Sequence, residues 1–400
     1  MRIIHTSDWH LGQNFYTKSR AAEHQAFLDW LLEQAEHRQV DAIIVAGDIF
    51  DTGSPPSYAR ELYNRFVVRL QRTDCTLYLL AGNHDSVATL NESRELLACL
   101  NTCVVATPDD KPLEMTRRDG TVAAILCPIP FLRPRDLLQS QAGQDGRDKQ
   151  LSLLEAISRH YQHLYEAALA LRDQRDLPII VTGHLTTVGV TASDSVRDIY
   201  IGSLEAFPAR NFPPADYIAL GHIHRPQSVG GMEHVRYSGS PIALSFDETG
   251  KEKSVTLVTF KGATLTGIEA LPVPVTQPLA LIKGSLAQIE QQLEAWRGAP
   301  EQPVTWLDIE ITTDEYLHDI QRHIRQLTED LPLDVVLIRR SREQRQRAID
   351  NQHKETLSEL SVNDVFSRRL AQEDLEPGQE ARLRQLFGQT LETLHQEDEA

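Results

Sequence analysis

The sequence predicts an α/β fold built on a mostly parallel sheet, and three features predict it. Short apolar runs of strand length recur along the first 260 residues, among them Ile3-Ile4, AIIVA at 42–46, TLYLL at 76–80, PIIV at 178–181 and YIAL at 217–220. They alternate with helical patterns at 21–38, 58–72 and 89–100. Five of the runs then end in side chains able to bind a cation: Asp8 and His10, Asp48, Asn83 with His84, His184, and His222 with His224. In an open sheet of parallel strands, loops at the carboxyl edge converge, so residues distant in sequence meet there.

Taken in order, strands are expected at 2–6, 42–46, 76–81, 122–127, 179–182, 217–220 and 255–260. The helix at 58–72 carries Leu62, Phe66, Val67 and Leu70 on one face, a stripe that suits packing on the sheet or against a second subunit. Leu62, Phe66 and Leu70 with Leu96, Leu97 and Leu100 could supply a four-helix contact between copies, or pack internally. A polar loop at 139–150 leads into a long helix, roughly 150–173, with Leu153, Ile157, Tyr161, Leu164, Ala168 and Leu171 along one side. The stretch 186–215 is longer than compact domains need for a connection, which favours a role facing substrate.

The proline-rich LPVPVTQP at 271–278 marks a boundary, giving a first domain over 1–275. A small β–α–β–α–β unit follows over 276–340, with helices over 285–297 and 315–329. The last segment, 341–400, opens on basic RRSREQRQR (339–347) and holds two amphipathic helical patterns, 361–373 and 379–396, split at Glu376-Pro377-Gly378. Helices this short are marginal alone in water, so their apolar faces are expected to cover a partner.

Composition narrows the class. A net charge of −17 argues against a general basic nucleic-acid binder, although bound cations would supply positive charge where it counts. No apolar run is long enough to cross a bilayer, and a polar stretch follows the first strand within a few residues, so a cytoplasmic protein without a membrane partner is expected. Cys75, Cys99, Cys103 and Cys127 form no CxxC pair and are read as reduced thiols, mostly in the core.

The donor set Asp8, His10, Asp48, Asn83, His184, His222 and His224 is too large for one ion and about right for two. Oxygen and imidazole donors without thiolate suit Mn²⁺, Fe²⁺ or Zn²⁺. Paired cations need a shared anion to offset their repulsion, and Asp48, beside Gly47 in a turn, is the expected bridge. His84, next to Asn83, is expected to face the substrate as a proton donor. A D-x-H pair alone is a weak signal; GNHD and GHxH in order behind their own strands are much sharper.

The ordered pattern D-x-H, GD, GNHD, GH, GHxH resembles the calcineurin-like metallophosphoesterase superfamily, over residues 1 to about 260. The resemblance implies a two-sheet α/β sandwich with a two-metal centre, with Mn²⁺ the expected pair of ions. By its pattern Asp8, His10, Asp48 and His224 hold one ion, Asp48, Asn83, His184 and His222 hold the other, and His84 is catalytic. SDWHLG, GDIFDTGSPPS, LGHIHRPQ, YSGSP and SFDE followed by GKEK are similar to the nuclease subunits of bacterial DNA-end-processing complexes. That likeness implies a small capping domain, C-terminal helices, a homodimer of the nuclease subunit built from helices near the active site, and a heterotetramer with the SMC-like ATPase SbcC. It also implies 3′–5′ exonuclease activity on DNA ends and endonuclease activity on single strands and hairpins. Some archaeal relatives carry histidine where Asp51 stands, so no role carries over to Asp51. No P-loop occurs in the chain, and any ATP dependence would come from the partner. Two other readings of the same motifs stay open: a small-substrate phosphodiesterase or phosphoprotein phosphatase on the same core, and a scaffold that lost catalysis.

Overall fold

In the computed structural model, residues 1–109, 111–138, 146–193, 195–196, 206–297, 303–312 and 317–340 are described, with isolated positions at 370, 382–383 and 386–387. Two six-stranded sheets stack face to face. The first runs, in spatial order, Thr264–Pro272, Ser254–Lys261, Arg2–Thr6, Ala42–Ala46, Thr76–Leu80, Thr102–Val105. Its last four strands are parallel, and Ser254–Lys261 joins Arg2–Thr6 antiparallel. The second runs Gln227–Val229, Met232–Tyr237, Tyr217–Gly221, Ile179–His184, Val122–Cys127, Leu113–Thr116, with its four central strands parallel.

The continuous apolar runs follow from burial on both strand faces. Ile3, Ile44, Tyr78 and Leu80 point between the sheets to meet Leu126, Ile180, Tyr217 and Ala219. Their neighbours Ile4, Ile43, Val45, Leu77 and Leu79 point outward, under helices Ala21–His37 and Ser57–Leu70. Helix Gly146–Arg172 covers the outer face of the second sheet with Leu153, Ile157, Tyr161, Leu164 and Ala168, whereas Leu171 is exposed. The result is four layers, helix–sheet–sheet–helix.

The stripe offered above for a dimer contact is interior. Leu62, Phe66, Leu70 and Leu97 are buried in the outer core of the first sheet, and the Phe66 ring stands edge-on to Trp9 at 5.4 Å. Leu96 projects into solvent instead. The helix read over 89–100 is two short ones, Val87–Asn91 and Arg94–Ala98. A Leu62→Glu, Phe66→Glu variant is therefore expected to unfold, because each truncation of such a side chain alone costs about 2–5 kcal/mol and the charge adds desolvation. Circular dichroism and light scattering check this; a folded monomer would show that the stripe faces another subunit. Of the four cysteines, all free, Cys75 and Cys127 are buried, Cys103 is half-buried and Cys99 is exposed.

Beyond Pro278 a three-stranded parallel sheet, Leu279–Gly284, Thr305–Ile311 and Leu333–Arg340, packs helices Leu286–Leu293 and Leu317–Thr328 through Ile282, Ile289, Ile309 and Ile324. A capping box between Ser285 and Gln288 starts the first of these helices. This unit leans on the hairpin Asn14–Phe15/Lys18–Ser19: Phe15 stacks on Trp306 with ring centroids 5.7 Å apart, and Lys18 pairs with Asp334. The helical patterns at 361–373 and 379–396 lie outside the described residues apart from isolated positions.

Candidate metal centre

The seven donors and His84 all lie at the carboxyl edge of the parallel strands. Asp8 and His10 follow Arg2–Thr6, Asp48 follows Ala42–Ala46, and Asn83 and His84 follow Thr76–Leu80. From the second sheet, His184 ends Ile179–His184, and His222 and His224 follow Tyr217–Gly221. The first two loops are tied together by Asp8 N–H to Gly47 O and His10 N–H to Asp48 O, both 3.0 Å.

Four of these donors sit at left-handed backbone angles: Asp8 (φ 53°), His10 (φ 47°), Asp48 (φ 53°) and His222 (φ 94°). Such conformations cost about 1–3 kcal/mol each in non-glycine residues and persist where the surroundings enforce them. Close backbone approach enforces them here. A Cβ on Gly82 would meet Asp48 Oδ1 at 2.1 Å, and one on Gly221 would meet the Ala46 carbonyl at 1.9 Å.

Asp48 is the hub. Its Oδ2 lies 3.2 Å from His184 Nε2 and 3.6 Å from His10 Nε2, while Oδ1 accepts the His84 N–H at 2.9 Å. Three groups bring ligand atoms within 4.8 Å of one another: Asp8, His10 and His224; His10, Asp48 and His84; Asp48, His184 and His222. Asn83 Oδ1 joins the last of them, 2.9 Å from His184 Nε2 and 3.1 Å from His222 Nδ1.

One buried imidazole nitrogen points to what belongs there. His10 Nε2, 3.6 Å from Asp48 Oδ2, is buried and makes no hydrogen bond among the described residues. A buried acceptor left without a donor beside carboxylates is costly alone and fits a coordinating cation. His184 Nδ1–H donates to the Ala46 carbonyl at 2.8 Å, which aims Nε2 at Asp48. Burial opposes charge on His184, but the Asp48 carboxylate and its hydrogen bond prevail and raise the pKa to about 9. Asp48 is held well below the usual range despite its burial, by His184 above all. Burial pushes His222 down.

Several residues outside the expected donor set hold it in place. Asp85 accepts the N–H groups of Gly82 at 2.8 Å, Phe50 at 2.9 Å and Ile49 at 3.1 Å, so one carboxylate fastens the Asp48 loop to the Asn83 loop. Asp51 Oδ1 is 3.1 Å from His10 Nδ1, and its carbonyl accepts from His84 Nδ1 at 2.6 Å. Ser7 donates to Asp8 Oδ2 at 2.5 Å, and Asp8 in turn accepts the His222 N–H at 2.9 Å. The GNHD quartet was the available signal for Asp85; nothing in the spacing marked Ser7.

Residues 1–226 match the calcineurin-like phosphoesterase family, and residues 275–374 match the type 5 capsule protein repressor C-terminal domain. Over 400 residues, covering 100% of both chains, the sequence is 68% identical to the SbcD component of the SbcCD nuclease of Escherichia coli (strain K12). The chain belongs to the calcineurin-like phosphoesterases, in the branch of the SbcCD nuclease subunits. The corresponding SbcCD nuclease components from Rhodobacter capsulatus and Bacillus subtilis are 35% and 31% identical, over 83% and 79% of this chain and 85% and 80% of theirs. The phosphoesterase fold and hydrolase chemistry implied by the sequence motifs hold, and divalent cations are the cofactor of this family. No helix among the described residues is long and apolar enough to cross a membrane.

Proposed function

We propose that the chain is the catalytic subunit of a Mn²⁺-dependent DNA nuclease, a 3′–5′ exonuclease on duplex ends and an endonuclease on single strands and hairpins. It works in the cytoplasm with an SMC-like ATPase, SbcC, in a heterotetramer of two subunits of each kind. The observation that carries the reading is Asp48, a buried carboxylate within 3.2–3.6 Å of imidazole nitrogens from both sheets, with one donor group on either side of it. Asp8, His10, Asp48 and His224 are assigned to one cation, and Asp48, Asn83, His184 and His222 to the other. The bound cations would activate water and neutralise a phosphodiester.

The chain's own groups do the rest. Asp48 supplies the shared negative charge, and Asp85 keeps its loop in register. His84 differs from the histidine ligands in being half-buried rather than buried, so one edge can meet substrate. Because a carbonyl only accepts, the proton on its Nδ1 is committed to Asp51 O, so the proton for the leaving oxygen must be a second one, carried on Nε2 in the imidazolium form. Residues 1–275, 276–340 and 341–400 are assigned to nuclease, cap and ATPase-binding segment. For the homodimer, the surface offered in place of the buried stripe is a groove of about 600 Å³ between helix Ser57–Leu70 and the segment 89–97, with exposed Val68 in its lining.

A cleavage assay on hairpin and linear duplex DNA with Mn²⁺, with and without the ATPase, tests the assignment. Hydrolysis of small phosphodiesters with no cleavage of either DNA would overturn it. The pH dependence of metal binding tests the ligand set separately. With a pKa of about 9, His184 is protonated at pH 7 in the metal-free chain, and a cation taking Nε2 must expel that proton. Mn²⁺ affinity is expected to rise with pH, about tenfold per unit for one released proton, from 7 until the curve flattens above 9. Calorimetry in two buffers of different ionisation heat measures the release; a flat profile would remove His184 from the ligand set.

A further inference from the structure

His224 is held from behind by a chain of groups that ends in a buried ion pair. Its Nδ1 lies 2.7 Å from Ser195 Oγ, and Ser195 Oγ lies 2.9 Å from Glu248 Oε1. The direct separation of Nδ1 from that carboxylate oxygen is 3.8 Å, so the serine stands between them. Glu248 is 3% exposed, and its other oxygen accepts the Leu244 N–H at 3.1 Å and pairs with Lys253. Lys253, also buried, donates to the His224 carbonyl at 3.0 Å and to Ser240 Oγ at 2.8 Å. The segments SFDE and GKEK thus close on the GHxH loop, a contact that no spacing in the chain announces.

Proton inventory gives this chain a direction. An ionised carboxylate only accepts, and a serine hydroxyl has one proton to give. Ser195 donates that proton to Glu248, so its contact with His224 must be one in which Nδ1–H donates to Oγ. The imidazole is then fixed as the Nδ1–H tautomer, and Nε2 keeps its lone pair for the side shared with Asp8 and His10. We propose that Glu248 and Ser195 are positioning residues that set the tautomer and orientation of His224 for its cation, with Lys253 keeping Glu248 ionised and in place. This rests on the assignment of His224 as a ligand.

The test uses the full chain with Mn²⁺ as the probe in three variants: His224→Ala, Ser195→Ala, and Glu248→Gln combined with Lys253→Met, which leaves no unpaired ammonium in the core. His224→Ala must weaken one of two Mn²⁺ sites; if both bind at parental affinity, the ligand assignment itself fails. Given that loss, Ser195→Ala and the double variant are expected to weaken the same site about 10–100-fold and leave the other unchanged. Nitrogen-15 imidazole spectra of the metal-free protein supply a readout that mere packing would not move. The parent is expected to show His224 protonated at Nδ1, and Ser195→Ala to show that preference lost. Ser195→Ala removes one half-buried hydroxyl and leaves the Glu248–Lys253 pair intact, so it keeps the fold. Parental affinity at both sites and an unchanged tautomer in that variant would overturn the proposal.

Discussion

His84→Gln is expected to keep its cations and lose its activity. Glutamine can occupy the space and donate an N–H toward the Asp51 carbonyl that His84 Nδ1 reaches at 2.6 Å. It has no group that exchanges a proton near neutral pH, so the leaving oxygen departs unprotonated. Loss of a general acid costs about 10²–10⁴ in rate. The backbone N–H of residue 84 still reaches Asp48 Oδ1, a 2.9 Å contact that does not depend on the side chain. Metal analysis should return the parental Mn²⁺ content beside a cleavage rate reduced by that factor on duplex ends and hairpins alike. Parental cleavage would move the proton-transfer role to another residue. A variant that lost metal would make His84 a ligand, as its place within 4.8 Å of His10 and Asp48 atoms permits.

Asp48→Ala should fail one step earlier, at metal binding. The carboxylate is the group that draws His184 up to a pKa of about 9 and lies within 3.6 Å of His10 Nε2. Without it, each cation loses a charged ligand and the pair loses the anion that offsets its repulsion. The expected result is Mn²⁺ content well below two per chain at concentrations that saturate the parent, no detectable cleavage, and little change in the circular dichroism spectrum. Two ions bound to the variant would show that another group bridges them.

The donors were legible in the sequence because each follows a strand whose two faces are both buried. Such a strand writes itself as an unbroken apolar run, as in AIIVA at 42–46, and the loop after it is then easy to locate. Strands at or beside a sheet edge carry no such signal. Thr264–Pro272 is exposed at most positions and Met232–Tyr237 is half polar, and neither was anticipated. The stripe Leu62, Phe66, Leu70 was legible as a stripe, but periodicity cannot say whether a sheet or a second subunit covers it; Trp9 against Phe66 decides for the sheet. The roles of Asp85, Asp51, Ser195 and Glu248 escaped notice for a different reason. Their partners are backbone N–H groups or side chains far along the chain, and no local spacing records a contact such as Ser195 with Glu248. Helix boundaries also shifted where a polar pair, Glu92-Ser93, divides the pattern into two short helices.

Electron paramagnetic resonance of the Mn²⁺-loaded chain tests the central claim most directly, since two ions sharing the Asp48 carboxylate are close enough for their spins to couple. The parent is expected to give a coupled, multiline spectrum at two equivalents, and Asp48→Ala only the signal of isolated or free Mn²⁺. A parent spectrum of uncoupled ions at two equivalents would contradict a shared centre built on Asp48.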